Sequence, residues 1–311
     1  MSHSSLPPQS SSQTFPQSSL QSSQWQRLLK NVGSWQGSFT QISSQGQVLS
    51  DMPTVVALIP QENNQAMRQE IHRYPPGEAQ QTKVLEYRSL NRATLFFKNG
   101  AFSQGSTQKG PFSEFGAELG LISGDRRLRV VQLFNTAHEL KQITLIREQL
   151  KGSDAPERSP LKILDLIGTW QGEAVTQYAD MQPEQTQSTQ LTVEALAEAA
   201  GNQKIRQTLR FGESNAPISS VGTIDGTAVD PTVDQTIGQK ISFAKGAQPM
   251  QVWLLPDGAS VTCPVKIAPR QPLFLEIGWL LDANTRQRMI RSYDAAGAWV
   301  SLTLVTEKKV S

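Results

Sequence analysis

Two acid–arginine pairs are the residues with the clearest potential for chemistry. Glu118 precedes Arg129 and Glu276 precedes Arg288, and in each pair a strand-like run and a turn lie between the two residues. Antiparallel pairing across such a turn brings the acid and the arginine to neighbouring strands. An interior arginine could anchor the carboxylate or phosphate of a ligand through parallel hydrogen bonds. It could equally form a structural ion pair with the acid, since a buried charge without a partner is costly.

The orientation of these arginines decides between the two interpretations. Pairing across each turn is expected to place Arg129 opposite Gly120 and Arg288 opposite Gly278. A glycine at that position leaves room for the guanidinium to lie over the sheet. Arginines that face outward would exclude ligand anchoring, whereas arginines that face inward each need a partner.

Aromatic side chains are the second group of candidate ligand contacts. Trp253, Trp279 and Tyr293 lie in the second half of the chain, together with Trp299. In a small β-barrel such rings either line a ligand cavity or fill the interior, and filling is the more common use. We expect the second half to be the better candidate for an open cavity, because it carries these rings and longer loops. The first half contributes Phe96, Phe97, Phe102 and Phe134.

Other kinds of chemistry have little support in the sequence. His3, His72 and His138 are scattered, which predicts no metal site. Cys263 is the single cysteine, so it has no intramolecular disulfide partner, and this favours a reducing compartment. We expect its thiol to be inert. No phosphate-binding or dinucleotide-binding glycine motif is present, so the sequence favours binding over catalysis and predicts no cofactor.

The length and composition of the chain limit the classes of protein to which it can belong. The 311 residues suggest two domains, and a hydrophobic content of 37% is enough for packed cores. The net charge of +2 argues against a nucleic-acid-binding protein. The longest apolar runs fall far short of the ~20 residues of a transmembrane helix, and the start of the chain resembles neither a signal nor a transit peptide. We therefore expect a cytoplasmic protein without a transmembrane segment; the sequence predicts no oligomeric state.

The chain is predicted to have four parts. Residues 1–24 are rich in Ser and Gln and contain no Lys, Arg, Asp or Glu, which predicts a disordered tail. Residues 151–160 combine two prolines, a glycine and four charged residues, which predicts an exposed linker. These segments leave 25–150 and 161–311 as the two predicted domains.

The two predicted domains repeat one pattern. Gly33-Ser34-Trp35 recurs as Gly168-Thr169-Trp170, and the acid–arginine hairpin recurs further on in the same order, which indicates a duplication. Each Gly-x-Trp motif follows a short predicted helix, over residues 24–32 in the first half and after Ser159-Pro160 in the second. Short strand-like runs separated by turns such as Asn99-Gly100 follow each motif. The fold class is therefore predicted to be all-β, with two tandem antiparallel barrels, each preceded by a short helix.

A short helix, a Gly-x-Trp motif and an antiparallel meander together resemble the lipocalin or calycin superfamily. The resemblance covers residues 25–310. It implies that Gly33, Trp35, Gly168 and Trp170 form the bases of two barrels, where a buried indole closes the narrow end and the glycine lets the chain pass close to it.

The resemblance also implies a covering arginine, because in lipocalins an arginine near the last strand usually covers the tryptophan. Arg147 is expected to cover Trp35. The matching position of the second half holds Thr306, which departs from the pattern, so Arg288 or Arg291 would have to take that place.

The tandem arrangement resembles an uncharacterised two-barrel family of cyanobacteria and plastids, similar in fold to the lipocalin-type phycobiliprotein lyases. The resemblance implies that a barrel binds a small hydrophobic or amphipathic molecule, such as a pigment, a fatty acid or an isoprenoid. A tetrapyrrole lyase or chaperone is the alternative. A structural or interaction protein without a ligand is the second alternative, and no residue pattern excludes it.

Overall fold

The structure is a computed structural model that describes residues 17–196, 203–212, 216–225 and 238–311. The first half begins with helix α1 (Gln17–Leu28) and a 3-10 turn (Leu29–Asn31). Its strands are β1 (Gly33–Ser43), β2 (Val48–Gln61), β3 (Ala66–Arg73), β4 (Gln81–Tyr87), β5 (Thr94–Phe96), β6 (Phe102–Gly105), β7 (Phe115–Ser123), β8 (Arg126–Phe134) and β9 (Leu140–Leu150).

Within the described residues, the second half repeats this order with one additional strand. It begins with the single helical turn α2 (Ile163–Leu166). Its strands are β10 (Gly168–Tyr178), β11 (Gln185–Leu196), β12 (Lys204–Phe211), β13 (Ile218–Asp225), β14 (Gln239–Phe243), β15 (Met250–Leu254), β16 (Ala259–Pro264), β17 (Leu273–Asp282), β18 (Thr285–Tyr293) and β19 (Trp299–Lys309).

Both halves are antiparallel meanders that curl into barrels. In the first, the strand order is β4-β3-β2-β1-β9-β8-β7-β6-β5, so that β4 and β5 are unpaired edges. In the second, β10 pairs with both β11 and β19, and the barrel closes completely. The predicted all-β fold with two tandem barrels is confirmed, and hydrogen bonds leave the first barrel open along one side.

The first helix is longer than predicted. It starts at Gln17 rather than at residue 24. The rest of the predicted disordered tail, residues 1–16, lies outside the described residues. Among the residues described, no helix has the length and apolarity needed to cross a membrane.

The barrels share one large hydrophobic core. Strands β7 and β8 of the first barrel pack against β16, β17 and β18 of the second. Leu128 and Val130 from β8 are buried there together with Ile277 and Met289 from the second barrel. Alternate residues of these strands therefore face a barrel interior and the neighbouring barrel, which explains why both faces of β8 are buried.

The predicted linker is partly fixed to the second barrel. The Arg158 backbone N–H donates a hydrogen bond of 2.7 Å to Asp257 Oδ1, and its guanidinium lies 4.6 Å from the ring centroid of Trp279. Glu157 accepts a hydrogen bond of 2.9 Å from Arg147 on the first barrel. These contacts attach the end of the segment 151–160 to both barrels.

Candidate ligand-binding site

The base of each barrel is built around a buried tryptophan. The Trp35 indole N–H donates a hydrogen bond of 2.9 Å to the carbonyl of Asn31, and the Trp170 indole donates one of the same length to Leu166. In both cases the acceptor lies four residues earlier, at the end of the preceding helical turn. An indole that is buried and hydrogen-bonded closes a barrel end without leaving an unpaired donor.

Glycines precede both indoles for a conformational reason. Gly33 has φ +136° and Gly168 has φ +125°, values that residues with a side chain rarely adopt. A Cβ atom at Gly168 would lie 2.1 Å from the carbonyl oxygen of Ser311. The close passage of the chain that the Gly-x-Trp motif predicts is therefore present.

The arginine that covers the first indole is not the predicted one. The Arg127 guanidinium lies 4.5 Å from the ring centroid of Trp35, whereas Arg147 donates to Glu157 on the outside of the barrel. Since side chains alternate along a strand, the inward orientation of Glu148 on β9 turns its neighbour Arg147 outward. The assignment of Arg147 as the covering group was therefore wrong.

The second indole is also covered by other residues than expected. Arg286 lies 6.0 Å and the Lys309 ammonium 5.1 Å from the Trp170 ring centroid. Arg288 shares the interior face but lies further along β18, where it binds acids. Arg291 lies on the opposite face of the strand and points into the core between the barrels, so neither expected substitute covers Trp170.

In the first barrel, the acid–arginine pair is part of a larger ionic network. Arg129 is opposite Gly120, as predicted, and faces the interior. Its Nη1 donates to Glu118 at 2.5 Å, while its Nε and Nη2 donate to Glu148 at 2.9 and 2.8 Å. Arg127 Nε donates to the same Glu148 at 2.7 Å. Two arginines and two acids therefore neutralise one another.

The second barrel repeats this network. Arg288 is opposite Gly278, as predicted, and its Nε and Nη2 donate to Glu307 at 3.0 and 3.2 Å. Its Nη1 donates to Glu276 at 3.4 Å. Arg286 lies 3.6 Å from Glu307. The repetition of the whole network favours the structural interpretation of the pairs over ligand anchoring.

Burial and charge act in opposite directions on these groups. Burial alone would raise the pKa of Glu148, but Arg127 and Arg129 outweigh it and lower that pKa to about 2. Burial also opposes the charge of Arg129, yet Glu148 and Glu118 together raise its pKa. Burial lowers the pKa of Arg127, which Glu148 offsets only in part. The network is thus held in its charged form.

Sequence reasoning missed half of these residues, although a signal for them exists. The spacing of 159 residues that relates Arg129 to Arg288 also relates Arg127 to Arg286 and Glu148 to Glu307. A search for charged residues that recur at this spacing would have found Arg127 with Arg286 and Glu148 with Glu307.

A cavity of about 570 Å³ occupies the first barrel above this network. Its volume lies in the range typical of small-molecule sites. The apolar wall is formed by Phe39, Val56, Leu58, Ile71, Phe96, Phe102 and Ile146, among others. Polar groups are contributed by Gln41, Gln69, Tyr87, Asn91, Gln104 and Thr144. Glu118, Arg127 and Arg129 are the charged residues of the lining.

The predicted aromatic site of the second barrel lies elsewhere. Trp253, Trp279 and Tyr293 are buried in the core between the barrels, where the Tyr293 ring lies 4.8 Å from that of Phe115 in an edge contact. The assignment was wrong because side chains alternate between the two faces of a strand. Neighbouring residues, such as Leu254, point into the second barrel, so the rings point out of it. These aromatic residues do not line a cavity in the second barrel.

The interior of the second barrel near Trp170 is packed with aliphatic side chains. They include Leu191, Val193, Ile205, Ile241, Val252 and Leu254. The expectation that the second barrel is the better candidate for an open cavity is therefore corrected in favour of the first.

Cys263 lies in the core between the barrels. Its side chain is fully buried, and burial raises the pKa of the thiol to about 12. Because the thiolate is the nucleophilic form, the burial and the raised pKa both act against reaction at this cysteine.

A solved structure shows which family the chain belongs to. A protein of unknown function from Nostoc punctiforme, assigned to the DUF3598 family, is 44% identical to this chain. The match covers 92% of this chain and 99% of the Nostoc chain, with a TM-score of 0.82. The chain belongs to the DUF3598 family. The family model for the DUF3598 N-terminal domain, a domain of unknown function, matches residues 21–153.

Two further comparisons concern parts of this DUF3598 protein. Residues 157–310 match the model of the C-terminal domain of "Biogenesis factor required for ATP synthase 1". An S-type phycobiliprotein lyase from Guillardia theta is 15% identical and covers 48% of this chain and 90% of its own, with a TM-score of 0.37. The chain has no significant match among curated proteins.

Proposed function

We propose that the first barrel of this DUF3598 protein binds a small amphipathic molecule. The observation that supports the proposal is the cavity of about 570 Å³, which combines an apolar wall with amide and hydroxyl groups. The rings expected to form a site in the second barrel are used between the barrels instead, which leaves the first barrel as the candidate.

The open side of the first barrel offers a route to the cavity. Strands β4 and β5 do not pair, and helix α1 lies across the gap. Gln24 Oε1 accepts a hydrogen bond of 2.6 Å from the Phe96 backbone N–H, so the helix satisfies the free edge of β5. Trp25 contacts Tyr87 of β4 edge-on at 6.1 Å. Entry here requires helix α1 to move aside but breaks no strand pair.

Filling the cavity is expected to abolish binding. Val131→Trp puts an indole into the cavity, and the matched control Ile290→Trp makes the same change at the corresponding position of the second barrel. We expect the affinity for the neutral dye Nile red to fall at least about tenfold in V131W and to stay unchanged in I290W, as measured by fluorescence titration. Unchanged dye binding in a folded V131W protein would contradict the proposal.

Native mass spectrometry of the protein from its source organism supplies an independent test. A bound mass in the wild type that is lost in V131W supports binding in the first barrel. An accompanying visible absorbance band would favour the tetrapyrrole lyase or chaperone alternative over a colourless lipid.

A second candidate function is that of an assembly factor for ATP synthase. It rests on the match of residues 157–310 to a domain named for ATP synthase biogenesis. Deletion of the gene is then expected to reduce the assembled enzyme on native gels while the synthesis of its subunits continues. An unchanged level of assembled ATP synthase would count against this candidate.

A further inference from the structure

We propose that the molecule bound in the first barrel is uncharged, so that it is a neutral amphiphile with carbonyl, ether or hydroxyl oxygens and not an organic acid or a phosphate. The inference rests on the proposed binding function and specifies its ligand class. It follows from the charges that face the cavity and from the partners that those charges already have.

The charges at the cavity sum to zero. Glu118, Arg127 and Arg129 line it, and Glu148 lies directly behind the two arginines. Burial acts against every one of these charges, and each is retained through its opposite partner. A neutral network of this kind presents no net charge that would attract an ion.

All three nitrogens of Arg129 already donate to acids. Its Nη1 is bound to Glu118, and its Nε and Nη2 hold the two oxygens of Glu148 in a bidentate pair. A ligand carboxylate would have to share these nitrogens with Glu118 and Glu148 or displace one of them. Sharing places it beside two carboxylates of its own charge, and a displaced acid would remain nearby as an unpaired and mostly buried charge, so both arrangements are unfavourable.

Glu118 also repels an incoming anion. Its second oxygen, Oε2, accepts a hydrogen bond of 2.8 Å from Gln104, so the carboxylate stays in place at the cavity wall. An anion bound near Arg129 would therefore also lie near Glu118 at short range. Glu118 therefore shields Arg129, which the sequence suggested as a ligand anchor, from anions.

The remaining polar groups of the cavity suit a neutral ligand. Gln41, Gln69 and Asn91 contribute amide groups, and Thr144 contributes a hydroxyl. Such groups donate to and accept from carbonyl, ether and hydroxyl oxygens without a cost for burying an ion. The apolar wall receives the hydrocarbon part of the same molecule.

Pairs of probes that differ only in charge test the inference. Lauric acid and methyl laurate form one pair, and biliverdin and its dimethyl ester form the other; each competes with Nile red for the wild-type protein. We expect the neutral member of a pair to bind at least about tenfold more tightly than the acid. Competition by the laurate pair indicates a lipid, and competition by the biliverdin pair indicates a pigment.

The variant Glu118→Gln provides the decisive comparison, because it removes the repelling charge while its amide oxygen can still accept a hydrogen bond from Arg129 Nη1. We expect the affinity of the acid to rise about tenfold, while that of the ester changes little. Glu276→Gln is the matched control in the second barrel and should change neither affinity. Circular dichroism and thermal melts establish that both variants are folded.

The outcomes separate this inference from the proposed function. An acid that binds as tightly as its ester in the wild type, or that gains nothing in E118Q, overturns the uncharged class and leaves binding intact. Failure of every probe to displace the dye overturns the ligand class named here. Dye binding that V131W does not alter overturns the proposed site itself.

Discussion

Replacing Glu148 by Gln is expected to lower the free energy of unfolding by about 3–5 kcal/mol. The Glu148 carboxylate is 0% exposed and accepts hydrogen bonds from both Arg127 and Arg129. A neutral amide keeps the shape of the side chain but removes the negative charge. Arg127 then has no acid partner, and Arg129 keeps only Glu118. Two buried cations close together with one acid account for the large loss.

Urea denaturation followed by circular dichroism measures this change. The control is Glu86→Gln, which removes an acid whose side chain is 60% exposed and paired with Arg68 on the surface. We expect the control to lose less than about 1 kcal/mol, since exposed ion pairs contribute little. A loss in E148Q as small as that of the control would show that the network does not stabilise the barrel.

The Glu148 carboxylate should also make the stability of the protein fall at acidic pH. The pKa of Glu148 is about 2 in the folded protein, compared with about 4.3 in an unfolded chain. A lowered pKa in the folded state stabilises the protein above the unfolded value, and this stabilisation is lost as the pH falls from about 4.3 towards 2. The stability of E148Q should therefore depend less on pH in this window than that of the wild type.

The architecture could be predicted from the sequence because its signals are local. The Gly-x-Trp motif needs a positive φ at Gly33 and a buried indole at Trp35, and both requirements hold wherever the motif enters a barrel. The hairpin that pairs Arg129 with Gly120 follows from the position of the turn between them. Such features depend on neighbours in the chain and not on the packing of the two barrels.

The candidate site could not be predicted in the same way, because it depends on which face of each strand points inward. Trp253 and Trp279 look like cavity residues until the second barrel is placed against the first, which turns both faces of those strands into buried surfaces. A single sequence does not reveal that contact. The Arg147 error has the same origin, since a shift of one residue exchanges inside and outside.

Replacing Arg291 by Ala is expected to destabilise the protein by about 3 kcal/mol and to loosen the contact between the barrels. The Arg291 side chain is 0% exposed, and its guanidinium stacks on the ring of Trp299 at 3.7 Å. Its Nη1 donates to Ser103 Oγ at 3.3 Å and its Nη2 donates to the carbonyl of Ser106 at 3.2 Å, both in the first barrel. Truncation removes both hydrogen bonds, so that the Ser106 carbonyl keeps only the Tyr293 hydroxyl as a donor, and it opens a hole beside Trp299.

Arg291→Met separates the contribution of packing from that of the hydrogen bonds between the barrels. Among the described ion pairs none involves Arg291, and burial lowers its pKa, so the charge itself is a cost to the folded state. Methionine fills much of the same volume without that cost. If packing dominates, R291M stays within about 1 kcal/mol of the wild type in urea denaturation; if the hydrogen bonds between the barrels dominate, it loses nearly as much as R291A.

Arg291→Ala is also expected to affect the cavity of the first barrel. Arg291 Nη1 also donates to the Ala93 carbonyl, next to Thr94, and Ser103 follows Phe102 in the chain; Thr94 and Phe102 both line the cavity. Arg291 therefore holds the β5–β6 hairpin from outside the barrel, and R291A is expected to weaken Nile red binding as well as stability. The exposed Arg206→Ala is the control for both measurements. Loss of stability with unchanged dye binding would show that the hairpin keeps its position without Arg291, so this residue would serve stability alone.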